Sequence, residues 1–127
     1  MFKSLIYATV VALVSTTAMA QDPIKRTLLQ RFDVPGTNYE TVTGIAEIVP
    51  NVSIGRHTHP GLEAGYVLEG SLELLIEGAQ PLQLKAGDSF KVVPAGVIHD
   101  AKTGPNGAKI IGAYTVEKGK PLASPAQ

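Results

Sequence analysis

Short runs of alternating apolar and polar residues, separated by Gly, Pro and Asn turns, make up most of the chain after residue 40. In residues 71–76, Leu72, Leu74 and Ile76 fall on one face and Glu73 on the other. Successive side chains of a strand point to opposite faces, so this pattern predicts strands with one buried face. The predicted strands are residues 41–49, 54–58, 63–68, 71–76, 81–84, 89–93, 98–101 and 109–116. With no helical period beyond residue 20, the spacing predicts an all-β sandwich or barrel.

Residues 21–40 are less regular than the rest of the chain. Apolar residues such as Leu28, Leu29 and Phe32 recur there without a clear period. We therefore predict an N-terminal arm over residues 21–40, followed by a single domain over residues 41–127, which is the number of domains expected at this length.

The first twenty residues have the pattern of a secretory signal peptide. Lys3 supplies a positive start, residues 5–14 are mainly apolar, and the small residues that end at Ala20 form a cleavage site. A membrane anchor is the alternative, but the apolar run is about half of the ~20 residues that span a bilayer. We expect a signal peptide over residues 1–20 and export, most simply to a bacterial periplasm, with no membrane contact after cleavage.

Composition restricts the chemistry that the protein can use. Its 11 basic and 11 acidic residues balance, and the basic ones are scattered, so we expect no nucleic-acid partner. The absence of cysteine excludes disulfides, thiol nucleophiles and thiolate metal sites. A functional site must therefore use carboxylates, hydroxyls or the three histidines.

All three histidines occupy positions from which they can share one metal ion. His57 and His59 are two residues apart, so in a strand both rings lie on one face, about 7 Å apart at the backbone. Glu63 follows the turn at residues 60–61, and its carboxylate can point back toward this pair. His99 follows a second turn that contains Pro and Gly. Purely structural roles suit a lone histidine better than this combination.

These residues resemble the two sequence motifs of the cupin superfamily, G-x5-H-x-H-x3,4-E-x6-G and G-x5-P-x-G-x2-H-x3-N. The matching residues are His57, His59, Glu63, Gly70, Gly87, Pro94, Gly96 and His99. Both motifs agree in residue type and in order, and the resemblance extends over residues 41–116.

Three positions depart from the motifs without removing a histidine or the glutamate. Asn51 replaces the first glycine, and Asn tolerates the same left-handed backbone. One extra residue separates Gly87 from Pro94, and we expect a β-bulge in residues 88–93 to absorb it. Thr103 replaces the final Asn.

The resemblance implies an all-β, single-domain jelly-roll β-barrel, the cupin fold. It also implies one divalent transition metal, held by His57, His59, Glu63 and His99. Three imidazoles and one carboxylate leave two open positions on a six-coordinate ion, which differs from a closed structural zinc site. Ligand identity alone leaves manganese, iron, nickel, cobalt, copper and zinc as candidates.

A metal with open positions inside an apolar barrel predicts an oxidoreductase of the dioxygenase type that acts on a small organic substrate. Glu63 is the candidate catalytic residue, because it can stay bound to the metal or act as a base. We expect Tyr66 and Asp100 to face outward, which leaves no separate acid–base group. The residues expected to line the cavity are Leu72, Leu74, Ile76 and Phe90.

Two alternatives to an enzyme stay open at this point. The first is a non-catalytic cupin that binds or senses a small-molecule ligand or the metal itself. The second is a structural protein in which the histidines are incidental and an apolar face forms a dimer. We expect a homodimer as the assembly, because so short a chain buries little surface by itself.

Overall fold

The computed structural model describes residues 22–127, so the predicted signal peptide and its cleavage site lie outside the described residues. Across residues 22–127 all regular structure is strand, and no helix there could cross a membrane. Eight antiparallel strands form one sheet that curls into a half-barrel, which confirms the predicted all-β jelly-roll class. The strands are β1 (Ile24–Asp33), β2 (Tyr39–Ile48), β3 (His57–Thr58), β4 (Gly61–Ile76), β5 (Leu82–Lys85), β6 (Ser89–Val92), β7 (His99–Glu117) and β8 (Ser124–Pro125).

The two longest strands, β4 and β7, pair with each other in the middle of the sheet. On one side β7 also pairs with β2, and β2 pairs with the edge strand β1. On the other side β4 pairs with β5 and β6. The short strand β3 pairs with the start of β7 and with β8, which sets His57 directly opposite His99.

Apolar side chains fill the concave side of the curled sheet. The predicted buried face of residues 71–76 is confirmed for Leu72 and Leu74, which are each 2% exposed. Val92 is buried with them, and Phe90 and Ile76 pack against this core. The same core includes Ile24, Ile48 and Ala108. Burial of this kind stabilises the sheet by roughly 25 cal/mol per Å² of apolar surface removed from water.

The predicted N-terminal arm is instead a ten-residue strand. Strand β1 pairs with β2 from Ile24, opposite Ile48, to Asp33, opposite Glu40. The register shifts between Leu28 and Gln30, so Leu29 is an extra residue in a β-bulge. A bulge moves all later side chains to the other face, which explains why residues 21–40 show no period of two.

Two turns predicted within the domain do not separate strands. Strand β4 continues through residues 69–70, and β7 continues through residues 104–107. Gly70 lies opposite Ala108 and has a φ of 75°, and a Cβ atom at Gly70 would collide with the Gly107 carbonyl. Glycine therefore lets the two strands bend together at this point while the chain keeps its direction.

The three departures from the cupin motifs have different outcomes. Asn51 adopts the left-handed conformation expected of it, with a φ of 56°. The bulge expected in residues 88–93 is absent from β6, which pairs with β4 without a register shift. Thr103 is buried, and its hydroxyl donates to the Val49 carbonyl at 2.7 Å and accepts the Val52 N–H at 3.1 Å. It therefore fixes the connection between β2 and β3.

Candidate metal centre

The three histidine rings meet on the concave side of the sheet. His57 pairs with His99 across β3 and β7, and His59 follows β3 by one residue. The ring centroids are 5.0 Å apart for His57 and His59, 4.1 Å for His57 and His99, and 4.9 Å for His59 and His99. One nitrogen from each ring lies within 4.8 Å of those from the other two. The structure thus brings together the three histidines that the sequence predicts to share a site.

Each ring is fixed by a hydrogen bond from its Nδ1 atom to a backbone carbonyl. The Nδ1 atom of His57 donates to Gly55 O at 2.8 Å, and that of His59 to Leu122 O at 2.6 Å. The Nδ1 atom of His99 donates to Val97 O at 3.1 Å. A carbonyl only accepts hydrogen bonds, so the proton of each neutral ring lies on Nδ1 and the Nε2 atom presents a lone pair.

Glu63 brings a carboxylate to the same point, as predicted. It lies in β4 and is 8% exposed. Its Oε2 atom is 3.2 Å from Nε2 of His59 and 3.3 Å from Nε2 of His99. Burial alone would raise the pKa of Glu63, but the contacts with His59 and His99 outweigh burial and lower the pKa from 4.5 to about 2. Glu63 is therefore an anion at neutral pH.

Two of the Nε2 atoms lack a satisfactory partner within the described residues. The Nε2 atoms of His59 and His99 are buried and make no well-aligned hydrogen bond, although both face the Glu63 carboxylate. Two lone pairs against an anionic oxygen repel unless a proton or a cation lies between them. A divalent cation satisfies all three atoms at once, so the donor set fits a metal ion.

The histidines differ in how readily they take up a proton. Burial lowers the pKa of His57, and the neighbouring His99 and His59 lower it further. Burial also acts to lower the pKa of His99, but the Glu63 carboxylate outweighs burial and raises it. Without a metal, His99 therefore takes up a proton more readily than His57 does.

Tyr114 joins this centre as a candidate acid–base group, which the sequence does not predict. It lies in β7 directly opposite Glu63, and its ring centroid is 5.0 Å from that of His59. Burial raises the pKa of the Tyr114 hydroxyl, and the Glu63 charge raises it further. The hydroxyl is therefore a protonated hydrogen-bond donor beside the carboxylate. Its only sequence signal is its place in the predicted strand 109–116, on the same face as Ile110.

Tyr66 and Asp100 were both predicted to face outward. This is confirmed for Tyr66, which is 44% exposed, but is wrong for Asp100, which is buried. Asp100 points away from the histidines but is 8% exposed, because the loop before His57 covers it. Its carboxylate accepts hydrogen bonds from Ser53 Oγ at 2.6 Å and from the Gly55 N–H at 3.0 Å. Since Gly55 O in turn accepts the His57 hydrogen bond, Asp100 helps to position that ring.

A cavity of about 290 Å³ opens onto the histidines and Glu63. Of the four residues predicted to line it, Leu72, Leu74 and Phe90 do so. Ile76 instead packs against the core. The cavity wall also includes residues of β1, which the sequence analysis placed outside the domain.

Comparisons with known proteins agree with this architecture. The profile of the family described as "Cupin domain" matches residues 44–110. A search of curated proteins found no match. An RmlC-like cupin from Shewanella frigidimarina is 27% identical, with a TM-score of 0.61 over 78% of this chain and 81% of that one.

Two further solved structures share the fold. An uncharacterized conserved protein with a double-stranded beta-helix domain from Klebsiella pneumoniae is 21% identical, with a TM-score of 0.66 over 87% of this chain and 90% of that one. The DMSP lyase DddQ from Ruegeria pomeroyi is 19% identical, with a TM-score of 0.69 over 83% of this chain. This chain matches 52% of the length of DddQ.

Proposed function

The chain belongs to the cupin domain family, and from that premise we propose that it is a divalent-metal-dependent oxidoreductase of the dioxygenase type that acts on a small organic substrate. One observation carries the metal part of the proposal. Three imidazoles, each oriented by a carbonyl bonded to Nδ1, direct Nε2 toward the point that the Glu63 carboxylate also faces. Hydrogen bonds of this kind, from the ring nitrogen that does not bind the metal, orient histidine ligands at metal sites.

The proposed ligands are His57, His59, His99 and Glu63. Nitrogen and oxygen donors of this kind suit manganese, iron, nickel, cobalt, copper or zinc. When bound, the metal would supply Lewis-acid chemistry for the reaction of a small substrate with dioxygen.

The residues around the proposed metal site can exclude water from the substrate and can donate or accept protons. Leu72, Leu74 and Phe90 line the cavity and exclude water from the substrate. The Tyr114 hydroxyl stays protonated at neutral pH and can donate a hydrogen bond to a substrate oxygen. Glu63 is ionised and can accept a proton if it leaves the metal.

The contact between Tyr114 and Glu63 also favours a second candidate, a non-oxidative reaction such as an elimination or an isomerisation. A carboxylate that accepts a proton and a phenol that donates one are the groups that proton transfer requires. Oxygen chemistry does not need both. The two candidates differ in one measurable way, because only the first consumes dioxygen.

The decisive experiment combines metal analysis with oxygen consumption. The protein is refolded with single divalent ions, its metal content is measured, and each form is screened in an oxygen electrode with catechol-type diols, enediols and oxalate. We expect one metal per chain and oxygen uptake with at least one ion. The H57A/H59A double variant should lose both, while T58A, which alters the residue between the two histidines, should keep both.

Each other result has a definite meaning. Wild-type metal content in H57A/H59A contradicts the proposed site. Turnover of a substrate without oxygen uptake supports the non-oxidative candidate, and tight ligand binding without turnover supports a binding or sensing protein.

Export and dimerisation are also proposals. The leader-like pattern of residues 1–20 supports export to a bacterial periplasm. Exposed Leu62, Tyr66 and Phe32 on the convex side of the sheet support a homodimer. Mass spectrometry of protein from a periplasmic extract should give a chain that begins at residue 21, and light scattering should give twice the mass of that chain.

A further inference from the structure

A row of glycines crosses the concave face of the sheet beside the candidate metal centre. Gly44 in β2 lies opposite Gly112 in β7, and Gly112 lies opposite Gly65 in β4. A Cβ atom at Gly65 would overlap the Phe90 ring, and one at Gly112 would lie 3.1 Å from the Tyr114 ring. The two rings therefore lie over two of the glycines. At Gly44 no side-chain atom lies within 4 Å of where a Cβ atom would be, so Gly44 leaves a bare part of the cavity wall.

Two arginines of β1 lie on either side of Gly44. Arg26 is opposite Ala46, Arg31 is opposite Val42, and both arginines line the cavity. Their surroundings differ. Arg31 donates to Glu40 Oε1 at 3.0 Å, whereas Arg26 makes no ion pair or side-chain hydrogen bond with any residue of the described part of the chain, residues 22–127.

Arg26 and Tyr114 line the same cavity from the two sides of the glycine row. Along β2 their pairing partners, Ala46 and Val42, are four residues apart, which is about 13 Å of extended chain.

The cavity holds more positive than negative charge. Among the described residues that line it, Glu63 is the only acidic one, and its carboxylate already faces His59 and His99. Arg26 is therefore an exposed cation that lines the cavity and has no ion-pair partner among residues 22–127. A guanidinium in this position gains most from a planar anion that accepts two parallel hydrogen bonds, and a carboxylate has that shape.

We propose that the cavity binds a small organic carboxylate, whose carboxylate group is held by Arg26 above Gly44 while the rest of the molecule extends to Tyr114, Glu63 and the three histidines. This inference rests on the proposed function, because it names the substrate class of that same site. Arg26 is then the residue that selects an acid over its neutral analogue.

The test measures binding, independent of turnover. Protein loaded with zinc is titrated by calorimetry with oxalate, malonate, succinate and glutarate, and with the corresponding diamides. We expect at least one acid to bind about tenfold or more tightly than its diamide, with an affinity that falls as salt rises. R26Q should lower the affinity for that acid about tenfold to a hundredfold, the usual range for loss of a hydrogen bond to a charged group. R26K should restore part of the loss.

A matched control removes the same charge from the adjacent residue. Lys25 projects from the other face of β1 and pairs with Glu47 at 3.4 Å, so K25Q should bind the acid as the wild type does. Equal affinity of R26Q and the wild type for the acid overturns the inference, as does equal binding of acid and diamide or no binding of any acid. Zinc content is measured on every sample, so a failure to hold metal, which contradicts the proposed function, is a separate result.

Discussion

At the histidine side of the cavity, the rings of His57, His59 and His99 are each fixed by a hydrogen bond to a backbone carbonyl. At the β1 side, Arg26 and Arg31 extend from an exposed edge strand. At the first side His59 and His99 are buried, His57 is half-buried, and all three rings are held in place. The second side depends on long, exposed arginine side chains, of which Arg26 has no ion-pair partner among residues 22–127. Substitutions at the first side should therefore affect both stability and binding, and substitutions at the second mainly binding.

The largest expected effect is removal of the metal. A ligand at a thousand times its Kd stabilises the folded state by about 4 kcal/mol, so chelation should lower the Tm by more than about 10 °C. Scanning calorimetry with and without chelator measures this shift. H57A/H59A serves as the control, because chelator should leave its Tm unchanged. An equal shift in both proteins means that the metal binds elsewhere.

The next effect is the pH dependence of the metal-free protein. The pKa of Glu63 is lowered from 4.5 to about 2, so its contribution is present above pH 4.5 and is lost as the pH falls toward 2. That contribution is on the order of 3 kcal/mol. The pKa of His99 is raised above 6.5, so its contribution is complete below pH 6.5 and is lost as the pH rises through the raised value.

The pKa of His57 is lowered below 6.5, so its protonation costs stability as the pH falls below 6.5. Together the three trends predict a stability maximum at about pH 6.5 in the metal-free protein, measurable by urea unfolding. Metal loading should move the maximum to higher pH, because protons compete with the metal for the histidines. In E63Q, the part of the loss in unfolding free energy below pH 4.5 that Glu63 causes should disappear. An unchanged loss at acid pH in E63Q contradicts the role given to this carboxylate.

A smaller effect is expected from Asp100, which helps to position the His57 ring but is not itself a proposed metal ligand. D100A removes the acceptor of the Ser53 and Gly55 hydrogen bonds, which we expect to cost about 2 kcal/mol of unfolding free energy. Loosening of His57 should also weaken metal affinity about tenfold, as for other residues that orient a ligand. S53A removes only one of the two bonds and should lose less of both. If D100A keeps wild-type metal affinity, Asp100 stabilises the loop alone.

The smallest effect belongs to the β1 side. R31Q breaks an ion pair between a half-exposed arginine and the Glu40 side chain, which is 13% exposed. Because solvent reaches the arginine and glutamine can still donate a hydrogen bond, we expect a cost of about 1 kcal/mol or less. Urea unfolding should therefore barely distinguish R31Q from the wild type. A loss comparable to that of D100A means that β1 is as firmly held as the histidine side.

The same contrast explains what could be predicted from the sequence. His57, His59, Glu63 and His99 were identified because their spacing along the chain is itself the signal. The approach of His57 to His99 depends on one short pairing, β3 with β7, and Glu63 is placed by the pairing of β4 with β7. The alternation of residues 71–76 likewise predicted a buried face without knowledge of the sheet.

Other features depend on contacts between distant segments and left no local signal. The bulge at Leu29 breaks the alternation that would have revealed β1. Tyr114 reaches Glu63 only through the register of β4 with β7, fifty-one positions apart in the chain. Asp100 alternates away from His99, as predicted, but the loop through Ser53 and Gly55 closes over it.

The most direct test of the central claim is X-ray diffraction from metal-loaded crystals, with anomalous data collected at the absorption edge of the bound ion. We predict a single anomalous peak coordinated by the Nε2 atoms of His57, His59 and His99 and by a carboxylate oxygen of Glu63. A peak located away from these four side chains, or the absence of any peak in protein that metal analysis shows to be loaded, would contradict the account.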